Sequence, residues 1–161
     1  MIKNFDNDLI IEKAKTCAFT GHRKLQIDFE VKKLEEEVIK LIELGYENFL
    51  VGMALGFDTV CFNLLKKLKI NYNIKIIACM PCLDQDKSFT FLQKQDYEKM
   101  VNSADYRILI SEHYTKFCMH KRNRFMVDNC SRLIAYLRED KGGTASTVKY
   151  AESKNVKTII I

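Results

Sequence analysis

The stretch Thr16-Cys17-Ala18-Phe19-Thr20, closed by Gly21, decides the fold. It carries no charge, shows no helical spacing and stops at a glycine. Such a run reads as a strand buried on both faces, and strands of that kind belong to parallel sheets with helices above and below. Residues 28–44 follow with Val31, Leu34, Val38, Leu41 and Ile42 at helical intervals and Lys and Glu on the opposite side. That is the pattern of an amphipathic helix laid on the sheet.

The same two periods recur to the end of the chain. Further strands are expected at 48–51 (NFLV), 75–80 (KIIACM), 106–110 (YRILI), 132–137 (RLIAYL) and 156–161 (VKTIII), and helices at 58–70, 89–103, 119–130 and 143–153. In the helix at 89–103 the expected inward line is Leu92, Met100, Val101 and Ala104. Strand and helix alternating through short connections give an α/β, doubly wound, mostly parallel six-stranded sheet with helices on both faces; the expected strand order is 3-2-1-4-5-6. Residues 1–15 read as a lead-in, and 16–161 as one domain.

Composition agrees. A chain of 161 residues with 47% apolar and 29% charged residues can bury a full core without a disulfide or metal staple. The formal net charge of +5 suits an anionic ligand. A nucleic-acid-binding domain would carry a denser basic stripe, and no aromatic platform stands out, so nucleic acid is not the expected partner. No apolar run approaches the roughly 18 residues of a membrane span, and the start lacks a signal-peptide core. A cytoplasmic location with no membrane partner is the expectation. An exposed apolar helix face could support a homo-oligomer.

The six cysteines, at 17, 61, 79, 82, 118 and 130, fall in apolar patterns and read as reduced, packed thiols. Cys79-Met80-Pro81-Cys82 has redox spacing but ends a strand instead of opening a helix, where the thiol pKa would be lowered. A zinc site joining Cys79, Cys82, Cys118 and His120 lacks the usual ligand spacings, so no metal is expected.

Ligands of open α/β sheets bind beyond the carboxyl ends of the strands, where the strand order reverses. Gly21-His22-Arg23 and Gly52-Met53-Ala54-Leu55-Gly56-Phe57-Asp58 reach that edge, as do Asp84-Gln85-Asp86-Lys87, Glu112-His113-Tyr114 and Lys141-Gly142-Gly143-Thr144-Ala145-Ser146. Gly142-Gly143-Thr144 at a helix start lets backbone N–H groups approach an anion, with Thr144 and Ser146 as further donors. The alternative is that the glycines make the turn and Thr144 caps the helix. Neither the G-x-G-x-x-G fingerprint nor the Walker lysine is present.

In His120-Lys121-Arg122-Asn123-Arg124, Arg122 falls beside Met126 at the margin of the buried stripe. An arginine near a helix N-terminus opposes the macrodipole, so helix stability does not account for it. A bidentate clamp on phosphate or carboxylate does. Lys121 and Arg124 read as a solvated face. His22 and His120 suit ligand contact or acid–base work, though either could equally be packed.

Four runs carry a resemblance: Thr16–Arg23, Gly52–Gly56, Cys118–Arg124 with Met126 and Asp128, and Gly142–Val148. In this order they resemble the YpsA-like branch of the SLOG superfamily. The resemblance implies a Rossmann-like fold and binding of a nucleotide or ADP-ribose-like ligand. On that reading phosphate sits on Gly142, Gly143, Thr144 and Arg122, a ribose near Gly52–Gly56, Met53 among them, and a base near His22 and Arg23, with Asp58 a further expected contact. Asn123, His120, Gly21 and Ser146 complete the expected contacts.

Met119-His120-Lys121-Arg122 with Met126 is also similar to the Lonely Guy phosphoribohydrolases, and Arg122 matches that family's catalytic arginine. Lys149 stands where that family's catalytic glutamate would be. Cleaving an N-glycosidic bond needs a carboxylate. Hydrolysis is therefore the alternative reading, open only if Asp58, Asp86, Glu112 or Asp128 substitutes. A more distant DprA likeness implies single-stranded nucleic-acid binding as a weaker alternative.

Overall fold

In the computed structural model, residues 4–161 are described. Of the lead-in expected at 1–15, residues 1–3 lie outside the described residues. The strands are β1 (Thr16–Gly21), β2 (Asn48–Val51), β3 (Lys75–Met80), β4 (Tyr106–Leu109), β5 (Arg132–Tyr136) and β6 (Lys157–Ile160). The α-helices are α1 (Val31–Glu43), α2 (Phe57–Leu68), α3 (Phe91–Ser103), α4 (Cys118–Asp128) and α5 (Gly142–Ser153). Every neighbouring pair of strands is parallel.

Side-chain alternation divides the core. Cys17 and Phe19 of β1, Phe49 and Val51 of β2, and Ile134 and Tyr136 of β5 point to one face, where they meet Leu34, Phe62, Leu65 and Tyr97 from α1, α2 and α3. Ala18, Leu50, Ile77, Cys79 and Leu133 point to the other, against Met126, Val127, Val148 and Ala151 from α4 and α5. Both faces are covered, which explains why the strands read as unbroken apolar runs. The six cysteines are buried as free thiols, and burial pushes the thiols of Cys79 and Cys82 up to about 12.

The sheet order corrects the expected 3-2-1-4-5-6. It is β4-β3-β2-β1-β5-β6, so the fourth strand extends the β3 side and β5 pairs with β1. Burial supplies the reason. Leu133–Tyr136 of β5 are all buried and need a strand on each side, which β1 and β6 provide. β4 buries only Ile108 and fits an edge. The reversal therefore falls between β1 and β5.

The outer edge of β4 is not left open. Asp6 N–H donates to the Arg107 carbonyl (2.7 Å), and the Arg107 N–H donates to Asp6 Oδ2 (2.8 Å). Asn7 donates to the Leu109 carbonyl (3.0 Å) and accepts from the Leu109 N–H (3.0 Å). Two side chains thus stand in for a neighbouring strand and blunt an edge that would otherwise invite pairing with another chain. The lead-in also forms a short 3₁₀ turn at Lys13–Lys15.

A second correction concerns α3. Leu92 is exposed, with Phe91 beside it, and the buried line is Tyr97 and Val101. The helix starts late because Thr90 and Gln93 form a capping box. Replacing both Asp6 and Asn7 by Ala is expected to lower stability by about 2 kcal/mol in urea unfolding, from the loss of three side-chain hydrogen bonds, and to favour self-association.

Candidate functional site

At the β1–β5 reversal the loops leave a chamber of about 270 Å³, lined by Gly21 at the end of β1 with His22 and Arg23 beyond it, Gly52, Ala54 and Asp58 after β2, Met119, Arg122, Asn123 and Met126 of α4, and Gly143 and Thr144 of α5. The first turns of α2, α4 and α5 therefore converge on one space. None of the three has a side-chain cap. Lys141, not Thr144, holds the cap position of α5. Three helix N-termini without side-chain caps place partial positive charge around the chamber, although the Phe57 and Cys118 N–H groups already donate to the His22 and Thr115 carbonyls.

Arg122 crosses the chamber and is nearly buried, 6% exposed. Its Nη1 donates to the Gly52 carbonyl and its Nε donates to Asn123 Oδ1 (2.7 Å). Nη2 meets no acceptor among the described residues, while the side chain lines the chamber. Gly52 is the position that makes this crossing fit. A Cβ there would lie 2.5 Å from Arg122 Nη1 and 2.9 Å from Asp58 Oδ2. Gly56 is needed for another reason: its φ is +83° and a Cβ would strike the Arg23 backbone.

Asp58 is the acid that reaches the chamber. Its Oδ2 accepts the Ala54 N–H (3.0 Å), and it is 6% exposed. Burial raises its pKa, partly offset by Arg122, the Ala54 N–H and Arg23. His22 Nε2 accepts the Arg138 N–H (2.9 Å), so its ring proton is on Nδ1. The imidazole ties the β1 loop to the β5 loop and lies edge-on to Tyr136 (5.8 Å). A Cβ at Gly21 would overlap Phe57, whose ring stacks on Tyr136 (5.8 Å).

A second chamber of about 630 Å³ opens beside the first and shares Arg23, Ala54 and Met119 with it. Leu55, Asp84, Gln85, Lys87, Phe89 and Tyr114 also line it. Gln85, buried, braces the wall between them. Its Nε2 donates to the Met53 carbonyl (3.1 Å), and Tyr97 O–H donates to its Oε1 (3.0 Å). Met53 adopts φ +62°, a strained conformation for a side chain of that size.

Most of the expected contact residues meet here, namely Gly21, His22, Arg23, Gly52, Asp58, Arg122, Asn123, Gly143 and Thr144. Others do not. Met53 points into the core, Gly56 packs under Arg23 and Gly142 stands just outside. His120 and Ser146 line a separate groove between α4 and α5, together with Lys149. Among the other acids, Glu112 is exposed beyond the β4 edge, Asp86 is half-buried outside both chambers, and Asp128 accepts from the Tyr150 hydroxyl (2.9 Å). Leu55 was expected at this edge, whereas the outer chamber's Ser88 and Phe89 were not. Gln85 carried the one signal, an uncharged residue amid acids and a lysine.

Fold and cleft together define a Rossmann-like α/β protein with a chamber at its topological switch point. The YpsA family model, described as the YspA SLOG family, matches residues 15–160, and the chain belongs to that family. It is 31% identical to the uncharacterized SPbeta prophage-derived protein YoqJ of Bacillus subtilis (strain 168), over 74% of this chain and 81% of that protein. UPF0398 protein BH1768 of Halalkalibacterium halodurans is 25% identical over 83% of this chain and 72% of its own length.

Among solved structures, DNA processing protein A (DprA) from Streptococcus pneumoniae matches with TM-score 0.63 and 21% identity, over 91% of this chain and 50% of that one. DprA from Helicobacter pylori, described for its single-stranded DNA binding mode, matches with TM-score 0.69 and 18% identity, over 92% and 66%. The likeness to both is one of fold. No helix among the described residues is long and apolar enough to cross a membrane.

Two outcomes follow from the geometry. Gly52→Ala is expected to displace Arg122 and cost about 2 kcal/mol or more, as crowding of a packed site does, measured by thermal unfolding. For Asp58 the folded pKa lies above the unfolded one, so its contribution is most favourable below the ordinary aspartate range and is lost as pH rises through the folded value. Asp58→Asn should therefore raise the unfolding temperature at neutral pH, with its advantage over wild type shrinking toward acid pH.

Proposed function

We propose that this protein binds a nucleotide-derived small molecule, with a phosphate in the inner chamber. The carrying observation is the convergence of three helix N-termini without side-chain caps on the open side of a buried guanidinium. Each favours negative charge, and the one carboxylate present, Asp58, is itself disfavoured in its charged form. In this reading Arg122 Nη2 and the Gly143 and Thr144 N–H groups hold the phosphate, with the Thr144 hydroxyl as a further donor. His22 already accepts from Arg138, so its Nδ1–H is what it offers a ligand.

A hydrolytic role would run through Asp58, because Lys149 faces the α4–α5 groove and the other acids stand outside. Retention of intact ligand supports binding alone; release of free base or ribose phosphate would establish turnover. Single-stranded nucleic acid is the second reading. It is favoured by Tyr114 and Phe117, both exposed, and by Lys116, whose ammonium lies 5.8 Å from the Phe117 ring.

The test is thermal unfolding against inorganic phosphate, ribose 5-phosphate, nucleoside monophosphates and ADP-ribose, for wild type, Arg122→Ala and Thr144→Val. A ligand at about 100 times its Kd should add roughly 2.7 kcal/mol, a shift of a few degrees. Loss of that shift in both variants is the expected result. An undiminished shift in Arg122→Ala, or none in wild type, overturns the reading.

A further inference from the structure

We propose that the outer chamber takes the nucleobase of the ligand, stacked on Tyr114, while its phosphate occupies the inner chamber; this rests on the phosphate reading above. Size is the first argument. Ligand pockets commonly run to about 300–1,000 Å³, and the inner chamber, at about 270 Å³, holds little beyond a phosphate and part of a sugar. The outer chamber, at about 630 Å³, has room for a base, and the shared residues Arg23, Ala54 and Met119 put the two side by side.

The lining selects among chemical classes. An aliphatic chain would want an apolar wall throughout, but Asp84, Lys87 and Ser88 interrupt it. A second phosphate would meet the Asp84 carboxylate. Burial pushes that carboxyl up, but hydrogen bonds from the Cys82 thiol, its own backbone N–H and the Tyr114 N–H outweigh it and hold the group below the usual range, charged at neutral pH. A heteroaromatic ring fits both features. Its faces meet Tyr114, Phe89 and Met119, and its edge donors meet a carboxylate.

Tyr114 is placed for this. Its side chain is 62% exposed, so its ring is open to a ligand. Its backbone is fixed, because the Tyr114 N–H donates to Asp84 Oδ1 (2.9 Å), and the Leu83 N–H donates to the Glu112 carbonyl (3.2 Å). The loops after β3 and β4 therefore form one wall. The ligand class is a nucleotide with an intact base, one sugar separating base from phosphate.

The experiment is titration calorimetry of wild type, Tyr114→Ala and Tyr114→Phe with ribose 5-phosphate and with the four 5′-ribonucleoside monophosphates, in one buffer. At least one nucleotide should bind tenfold or more tightly than ribose 5-phosphate, as stacking on one aromatic ring allows. Tyr114→Ala should abolish that advantage, Tyr114→Phe should keep it, and both should bind ribose 5-phosphate as wild type does, which also verifies their folding. Equal affinity for sugar phosphate and every nucleotide overturns the proposal while leaving the phosphate reading intact. So does equal weakening of both ligands by Tyr114→Ala. Absence of binding by all five ligands overturns both. Oligo(dT) binding that exceeds every mononucleotide, weakens with salt and needs Tyr114 would make the chamber part of a strand path instead, and overturns it too.

Discussion

The hydrogen bond from Arg122 to the Gly52 carbonyl is the constraint around which the cleft is arranged. A buried guanidinium is costly unless its donors are met, and here the β2 loop supplies a carbonyl and Asn123 an amide oxygen. The crossing in turn demands a glycine at 52, fixes the approach of α4 to the sheet and sets Asp58 across the same glycine. It also leaves the site short of negative charge. A cation lies at the N-terminus of its own helix, facing two more helix N-termini, and the nearby carboxylate is held back by desolvation. On the proposed reading, an anion in the chamber would relieve that imbalance.

Much of the fold was legible in the residues, because the two hydrophobic periods differ and the first three strands stop at Gly21, Gly52 and Pro81. Strand order was not. It depends on which strands are flanked on both sides, and the only trace of that was the Tyr-Arg pair opening β4, unsuited to a central position. The role of Asp6 and Asn7 was invisible for a related reason: pairing to an edge by side chains has no sequence period.

The site shows the same division. Arg122 stood out as a misfit with the helix dipole, and the structure gives the misfit a place. His120 and Ser146 were grouped with the cleft by nearness in sequence. Each is two residues from a residue that lines the chamber, Arg122 and Thr144, and two residues on a helix turn the side chain by about 200°. Both consequently face the α4–α5 groove. Local motifs identified the helix starts, and rotation about the helix axis decided which members of each motif took part.

Gln85 carries a different kind of information. Because Tyr97 donates to its Oε1, its Nε2 must face the Met53 carbonyl, and the chain of dipoles from α3 to the β2 loop has one polarity. The joint is keyed by hydrogen count, not by shape. An isosteric glutamate would set a carboxylate oxygen against a carbonyl at the residue with the strained backbone, and repulsion between two acceptors would push that loop off its bearing. Fidelity of the cleft thus depends on a single amide being an amide.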